Sequence, residues 1–449
     1  MVLLGTSVVA GAFVGRVFDG TVRIQESNGQ VFWQTTGNKG GALAILLMGG
    51  AAACALVAIY KNLNGILHEL LLSVGFSSVM FALVAWWLIA TQMRGEHHSL
   101  DSVATDTAAL IIMIGVVMSP PTWRTVAALA KLLNSTVVLF LAYSLLNPPG
   151  GQLPCRIDKC GIFGSLFTGF FPQENPAGKL VASLVPAAVA IKSTPRMVLT
   201  LTLAGIFIAA TGSRTALAAF VIGLSFIVYL RRQDLSENVH MSAVWRSLPF
   251  AALLASAYLF LAIPAAELTG RGVVFAGIRD QMTGYALILG SGVNTMKRVA
   301  VIGGTRGVVL RGEHGQAPHL LVNAGVVGLV LFALALGSLI AHRHWTPTRA
   351  LALGFLLVAS AQFLTEPGWA LDTRTFDMVT ILFAVGAFVD RVPTGWVGVR
   401  GVGGGPHSDA ASLESSSSGP PDTKQDARPD RVPWGPRRVA EPATQPQWP

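Results

Sequence analysis

The chain of 449 residues is 52% hydrophobic and only 12% charged, and its mean hydropathy is +0.57. A soluble domain is about 25% charged, so this composition excludes an ordinary soluble fold. The net charge of +9 does not indicate a nucleic-acid partner, because the basic residues fall mostly in short segments between apolar runs, where they set membrane topology.

Apolar runs of roughly 17–25 residues follow one another along residues 1–390. They are about twice as long as the strands of a membrane barrel, so we expect an all-α fold, a polytopic transmembrane helical bundle of about twelve spans. The first run, 1–15, is short and lacks the basic segment that begins a secretory signal, so we take it as a weak span. The other spans are expected at 41–60, 66–91, 103–119, 124–146, 175–191, 197–212, 213–230, 247–264, 319–341, 349–364 and 376–389.

Two long polar segments interrupt the spans. Residues 147–174 are rich in Gly, Pro and aromatic residues, which break helices, and residues 265–318 form the longest polar insert. The end of the chain, 391–449, is rich in Pro, Gly and Ser. We expect it to be a disordered tail, because such a composition cannot bury a core.

Basic residues predict the orientation of these spans. Arg231 and Arg232 directly follow an apolar run, and short loops rich in Lys and Arg stay on the cytoplasmic side. Alternation of the spans then puts the other strongly basic loops and both termini on the cytoplasmic side. The same alternation puts 147–174 and 265–318 on the outer side.

The cysteines fit this orientation. Cys155 and Cys160 lie close together in the outer segment, whereas Cys54 lies inside an apolar run. A close pair that faces an oxidising compartment is a disulfide candidate. A metal site is not expected, because Asp158 is the only acid between the paired cysteines and His97-His98 are read as part of a plain exposed loop.

Several polar groups gather on the expected outer side. Arg214 follows Ser213 in a Gly-Ser-Arg-Thr turn that opens an apolar helix, and Glu174 with Asn175 opens another span. His319 lies where the long insert re-enters the membrane, and histidine is a common proton acceptor in catalysis. An outer surface rich in arginine suits an anionic ligand, and guanidinium groups match a diphosphate well. Further cationic candidates in the insert are Arg271, Arg279 and Arg311.

Each of these residues also has a purely structural interpretation. Arg214 would then extend along the interface, Arg271 would cap a turn after Gly270, and His319 would bond to the backbone. The joint occurrence of these residues on one side favours a binding site over separate structural roles.

The order and spacing of these motifs resemble the O-antigen ligase and polymerase family of membrane glycosyltransferases. The resemblance covers about residues 160–345, the ligase-like core. It rests on the 213–216 turn, on Gly270-Arg271 and 289–292 in the outer insert, on His319 ahead of the Gly325 and Gly328 helix, and on Asn175 with Gly178.

This resemblance implies a reaction at the outer face of the bacterial cytoplasmic membrane. A glycan would pass from a polyprenyl-diphosphate carrier to an acceptor hydroxyl, without a metal or other cofactor. Arg214 and Arg271 would hold the diphosphate and stabilise the leaving-group charge, while His319 would orient or deprotonate the hydroxyl. Further substrate-binding candidates are Asn175, Glu174, Ser213, Arg279, Arg311 and His314.

Two features depart from the family pattern. Leu320 follows His319, where the family usually has Asn, and His314 is a rival for the base. The acceptor therefore stays open among a glycan, a lipid and a protein, as does the choice between polymerase and ligase. An apolar groove between membrane helices would take the polyprenyl chain.

Two other classes of function compete with this interpretation. A transporter of a lipid-linked glycan or a small anion would show internal repeats, midplane charges or paired broken helices. The sequence shows no clear repeat, and its notable charges lie at one surface. An assembly scaffold without activity is the third class, and Leu320 is the only feature that suggests it.

Overall fold

A computed structural model describes residues 2–19, 21–25, 31–35, 37–61, 75–94, 100–156, 159–233, 239–264, 271–291, 315–364 and 377–389. The statements about structure that follow concern these residues, which all belong to one compact unit, 1–392. The predicted tail lies outside them. So do Arg311, His314, Asp158 and the His97-His98 pair.

The described part of the chain is mostly helical. Its helices are α1 (Val2–Phe18), α2 (Lys39–Lys61), α3 (Phe76–Met93), α4 (Leu100–Met118), α5 (Trp123–Leu146), α6 (Pro148–Gly151), α7 (Glu174–Leu184), α8 (Thr194–Thr211), α9 (Arg214–Arg231), α10 (Ala243–Ala262), α11 (Arg271–Gln281), α12 (Tyr285–Leu289), α13 (Gln316–Ala341), α14 (Pro347–Ser360) and α15 (Asp377–Ala387). Two short antiparallel hairpins pair β1 (Thr21–Gln25) with β2 (Val31–Thr35) and β3 (Gln152–Pro154) with β4 (Ser165–Phe167).

Seven of the described helices are long and apolar enough to cross a membrane: α2, α3, α5, α8, α9, α10 and α13. Shorter apolar helices run over Gly5–Phe18, Thr107–Met118 and Pro347–Ser360. Large apolar side chains also face outward, such as Leu46, which is 70% exposed. In water this surface would be unfavourable, but it suits contact with lipid. The expected all-α membrane-embedded fold is confirmed at this level.

Two expected elements differ in detail. The span expected at 175–191 is α7 followed by a 3-10 helix, Val185–Ala190. Pro186 explains the change, because proline has no N–H to continue the α-helical pattern. The insert 265–318, expected to be a polar loop, contains α11 and α12 in its described part.

One end of the bundle carries the disulfide loop, and we call it the cysteine end. Arg16, near the end of α1, donates to the carbonyl of Gly150, 3.0 Å from its Nε. The carboxylate of Asp19 accepts from the backbone N–H of Lys39 at 2.8 Å. The end of α1, the start of α2 and the end of α5 therefore meet there.

Further helix termini meet at the same end. The N–H of Gln316, at the start of α13, donates to the carbonyl of Phe363 at 2.9 Å, just beyond α14. A Cβ on Gly354 of α14 would lie 2.8 Å from Phe226 of α9, and one on Gly223 would lie 2.9 Å from Val358. These two contacts show that α9 and α14 run antiparallel, so the start of α9 and the end of α14 lie toward the same end of the bundle.

The opposite end, which we call the Arg231 end, is held together by arginines that donate to carbonyls. Arg246, near the start of α10, bonds to the carbonyl of Ile340 at the end of α13, at 2.9 Å. Arg349, near the start of α14, bonds to the carbonyl of Ala387 at the end of α15, at 3.2 Å. Cationic side chains stabilise helix C-termini because the last carbonyls lack helical partners.

Candidate functional site

The loop between α5 and α7 contains a disulfide that joins Cys155 to Cys160, with their Cα atoms 4.6 Å apart. Cys54 is a separate, exposed thiol on α2. The ring that the disulfide closes carries two cations, Arg156 and Lys159. The disulfide therefore keeps the positive charges of Arg156 and Lys159 in one short loop.

Both cations bind Glu174, the first residue of α7. Its carboxylate Oε1 lies 3.0 Å from Arg156 Nη2 and 2.9 Å from Lys159 Nζ. Lys159 Nζ also donates to Asn175 Oδ1. Glu174 is only 3% exposed, and a buried carboxylate requires such partners. The two substrate-binding candidates of α7 are thus tied to the disulfide ring.

The turn between α8 and α9 explains the geometry around Arg214. Gly212 has φ +64, the left-handed region, and so ends α8. Ser213 then caps α9, because its Oγ accepts from the N–H of Ala216 at 3.4 Å. Arg214 is exposed in the first turn of α9. The structure gives Ser213 a capping contact, and its predicted role in substrate binding stays a prediction.

The turn at Ser213 and Arg214 contacts both the disulfide loop and the start of α7. A Cβ on Gly212 would lie 3.0 Å from the carbonyl oxygen of Cys160, and a Cβ on Gly178 of α7 would lie 3.4 Å from Ser213 Cβ. A Cβ at Gly212 would be in tight contact with the disulfide loop, and one at Gly178 would be in van der Waals contact with Ser213. The disulfide loop, the start of α7 and the Arg214 turn therefore form one contact region at the cysteine end.

A second group at the same end surrounds His319 on α13. His319 is 9% exposed, and its ring centroid lies 5.9 Å from that of Trp87 on α3. Asn323, one turn further along α13, donates from Nδ2 to the carbonyl of His319 at 2.9 Å. The same nitrogen lies 3.4 Å from His319 Nδ1.

The helix α13 breaks just beyond this pair, at Gly325, which has φ +65 and ψ −168. A Cβ there would lie 2.0 Å from the carbonyl oxygen of Ile288. The break therefore requires glycine, on grounds of both conformation and space. It separates a buried first segment, which carries His319, from the long apolar remainder.

The three carbonyls before the break accept hydrogen bonds from outside the helix. The oxygen of Val322 accepts from the N–H of Ser291 at 2.8 Å, and that of Asn323 accepts from Arg94 Nη1 at 3.0 Å. The oxygen of Ala324 accepts from Trp86 Nε1 at 2.8 Å. A break inside a membrane is tolerable only when such groups are satisfied.

Sequence reasoning missed Trp86, Trp87 and Arg94 as well as Arg156 and Lys159. Arg94 also donates to the carbonyl of Leu289, so it links α3 to α12 and α13. A tryptophan pair followed by a single arginine at the end of a span was one available signal. The other was the presence of two cations between the paired cysteines.

Two cationic candidates of the insert, Arg271 and Arg279, belong to α11. Arg279 donates to the carbonyls of Phe260 and Ile263, the latter at 3.2 Å, and so caps the end of α10. Arg271 begins α11, and its side chain lies outside the described part. The roles of both residues in substrate binding stay predictions.

Arg214 and His319 lie on different helices at the cysteine end. α14 connects their surroundings, because it packs against α9 and its end meets the start of α13. Among the described residues, no group of three or more His, Cys, Asp or Glu side chains is arranged to hold a metal ion.

Comparisons with known proteins add no assignment: no protein-family model, no curated protein and no solved structure matches the chain. The resemblance to O-antigen ligases therefore rests on the order and spacing of motifs. Function has to be argued from the site itself.

Proposed function

We propose that the chain is a membrane glycosyltransferase. It transfers or polymerises a glycan carried on polyprenyl diphosphate, at the outer face of the bacterial cytoplasmic membrane. The observation that carries this proposal is the contact region formed by the disulfide ring, the start of α7 and the Arg214 turn. It joins two segments that the sequence assigned to one site, the start of α7 and the Arg214 turn, and adds the disulfide ring to them.

The charge of this region suits a diphosphate. Its described residues include three cations, Arg156, Lys159 and Arg214, and one carboxylate, Glu174. Glu174 orients Arg156 and Lys159 through its two ion pairs, while Arg214 is exposed in the first turn of α9. An anion bound near Arg214 would gain charge-assisted hydrogen bonds, which are stronger than neutral ones.

The distribution of basic residues supports the proposed orientation. Lys61, Arg124, Lys192, Arg231 and Arg349 flank helices at the ends that we assign to the cytoplasm. Short basic loops are retained there, and a disulfide belongs in the oxidising space opposite. With the three shorter apolar helices, the α7 segment and α15 counted as spans, this orientation agrees with a bundle of about twelve spans and with both termini in the cytoplasm.

The proposed reaction makes one bond and breaks another. The acceptor hydroxyl oxygen attacks the anomeric carbon of the donor glycan, the bond from that carbon to the diphosphate oxygen breaks, and the hydroxyl proton passes to a base. Arg214 stabilises the negative charge that develops on the leaving diphosphate. Loss of one such donor costs about 10²–10³ in rate.

Deletion of the gene in its host tests this function. If polyprenyl-linked glycans accumulate as single repeat units, the protein is a polymerase; if they accumulate as full-length chains, it is a ligase. An unchanged set of precursors together with unchanged surface glycans contradicts the proposal.

A transporter is the second candidate, and the break in α13 is the observation that favours it, because transporters bind substrates at broken helices. However, the carbonyls before the break already accept from Ser291, Arg94 and Trp86. This arrangement argues against ion coordination there. Movement of a lipid-linked glycan across proteoliposomes without transfer to an acceptor would support the transporter instead.

A further inference from the structure

We infer that Gln362, just beyond α14, binds a sugar hydroxyl of the lipid-linked glycan. The observation that carries this inference is a buried side-chain amide whose two polar atoms have no hydrogen-bond partner among the described residues. The identity of the ligand rests on the proposed function, whereas this observation does not. Gln362 is not one of the residues that the sequence motifs indicated.

The amide of Gln362 is enclosed by the bundle. Gln362 is 1% exposed, and within the described chain neither its Nε2 nor its Oε1 takes part in a hydrogen bond. A buried polar group without a partner is costly, and more so in a membrane bundle, where water is scarce. Because nearly all such groups in folded proteins are paired, the amide indicates a partner from outside the described chain.

Gln152, in β3, shows how the protein pairs a glutamine that serves the fold. Its Nε2 donates to the carbonyl of Ser144 at 2.8 Å, and its Oε1 accepts from Ser165 Oγ at 2.7 Å. These two bonds tie β3 to α5 and to β4. A purely structural role would give Gln362 comparable bonds, and the described residues supply none.

The position of Gln362 connects the two halves of the candidate site. The carbonyl of its neighbour Phe363 accepts from the N–H of Gln316 at 2.9 Å, and Gln316 begins the segment of α13 that carries His319. Gln362 also follows α14, which packs against α9, the helix that begins with Arg214. It therefore lies where α14 joins the surroundings of His319 to those of Arg214.

The chemistry of the amide selects the sugar and not the diphosphate. A glutamine side chain offers one NH₂ donor and one oxygen acceptor, and a hydroxyl likewise donates and accepts. Neighbouring hydroxyls of a sugar ring can thus satisfy both ends of the amide of Gln362. A diphosphate oxygen only accepts, so it would leave Oε1 unpaired beside a negative charge. Arg214 suits the diphosphate, and Gln362 suits the glycan that it carries.

The glycan reaches Gln362 by a local opening of the junction between α13 and α14. Gln362 lies after the last turn of α14 and beside the first turn of α13. Helix ends open at a lower free energy than helix centres. Closure around the bound sugar then excludes water, which strengthens the hydrogen bonds that the amide makes.

The first test is the thermal midpoint of Gln362→Met in detergent, without ligand, beside Gln152→Met. Methionine is about as long as glutamine but carries no amide. We expect the midpoint of Gln362→Met to stay unchanged or to rise, because it loses two unpaired groups. Gln152→Met should melt at a lower temperature, because it loses two hydrogen bonds. A fall in Gln362→Met as large as that in Gln152→Met overturns the inference.

The second test measures ligand binding as the rise of the thermal midpoint with ligand concentration. The two probes are polyprenyl-linked glycan, extracted from the deletion strain, and polyprenyl diphosphate without sugar. We expect Gln362→Met to lose about tenfold in affinity for the first probe, equivalent to about 1.4 kcal/mol, and to bind the second as the unmodified protein does. Arg214→Ala should bind both probes more weakly.

Each other result of the binding test contradicts a stated part of the account. Equal affinity of Gln362→Met and the unmodified protein for the glycan probe overturns the inference and leaves the proposed function intact. An equal loss of affinity for both probes overturns the assignment of the amide to the sugar. If neither probe stabilises the unmodified protein, the proposed function fails, and the sugar ligand of Gln362 fails with it.

Discussion

The carboxylate of Glu174 lies 2.9 Å from the ammonium group of Lys159, and this ion pair joins the first turn of α7 to the disulfide ring. Glu174 is almost fully buried, and Arg156 binds the same oxygen. The contact orders the loop on the face where the Arg214 turn also lies. Its loss should therefore affect both stability and binding.

Replacement of Glu174 by glutamine removes the charge that holds two cations. We expect the free energy of unfolding to fall by about 3–5 kcal/mol, as when one partner of a buried ion pair is lost. The measurement is the thermal midpoint in detergent, with Glu174→Asp as the variant that keeps the charge. An unchanged midpoint in Glu174→Gln would mean that the ion pair contributes nothing.

Removal of the disulfide should loosen the same loop. The ring is small, since the cysteines are five residues apart, so the loss of stability should be only about 2 kcal/mol. We expect the double variant Cys155→Ser with Cys160→Ser to bind and transfer more weakly. Cys54→Ser is the control, because Cys54 lies outside the loop. Equal activity of the two variants would contradict a role for the disulfide.

The break in α13 gives a prediction with a control on the same helix. Gly325→Ala places a methyl group 2.0 Å from the carbonyl of Ile288 and forces an unfavourable φ. We expect a strongly destabilised or unfolded protein. Gly337→Ala, with nothing within 4 Å, should be neutral or stabilising by up to about 1 kcal/mol. Similar melting of the two variants would show that the break is not required.

We expect Arg94 to stabilise the break in α13 at Gly325. Arg94→Met leaves the carbonyls of Asn323 and Leu289 without the guanidinium that they bind, at a cost of about 1–3 kcal/mol for each unsatisfied group. Arg94→Lys should restore part of the loss, because it keeps one donor in reach. Arg232→Met, at an exposed residue beyond α9, serves as the control, and melting in detergent compares all three.

Hydropathy and basic residues were sufficient to predict the helical bundle, because membrane spans are set by length and composition. The expected spans at 213–230 and 124–146 agree closely with α9 and α5. The span at 175–191 was less well described, since periodicity alone does not show that Pro186 changes the helix type. The break in α13 was also missed, because glycine is common inside membrane helices.

The position of the candidate site in the sequence was partly predictable, whereas the function of its residues stays a prediction. Short motifs identified Glu174, Asn175 and Arg214, and the structure brings their surroundings together. The ion pairs of Glu174 depend on how the loop folds back onto α7, which composition does not specify. The support of α13 by Arg94 depends on a contact between residues more than two hundred positions apart.

The central claim is that the Arg214 region binds the diphosphate of a lipid-linked glycan. The most direct measurement is the level of polyprenyl-linked glycan in a deletion strain that carries the unmodified gene, Arg214→Ala or Arg232→Ala, with equal protein in the membrane. We predict that Arg214→Ala accumulates the lipid-linked precursor as the deletion does, because about 10²–10³ in rate is lost with one such donor, while Arg232→Ala matches the unmodified protein. Normal precursor levels in the Arg214→Ala strain would contradict the account.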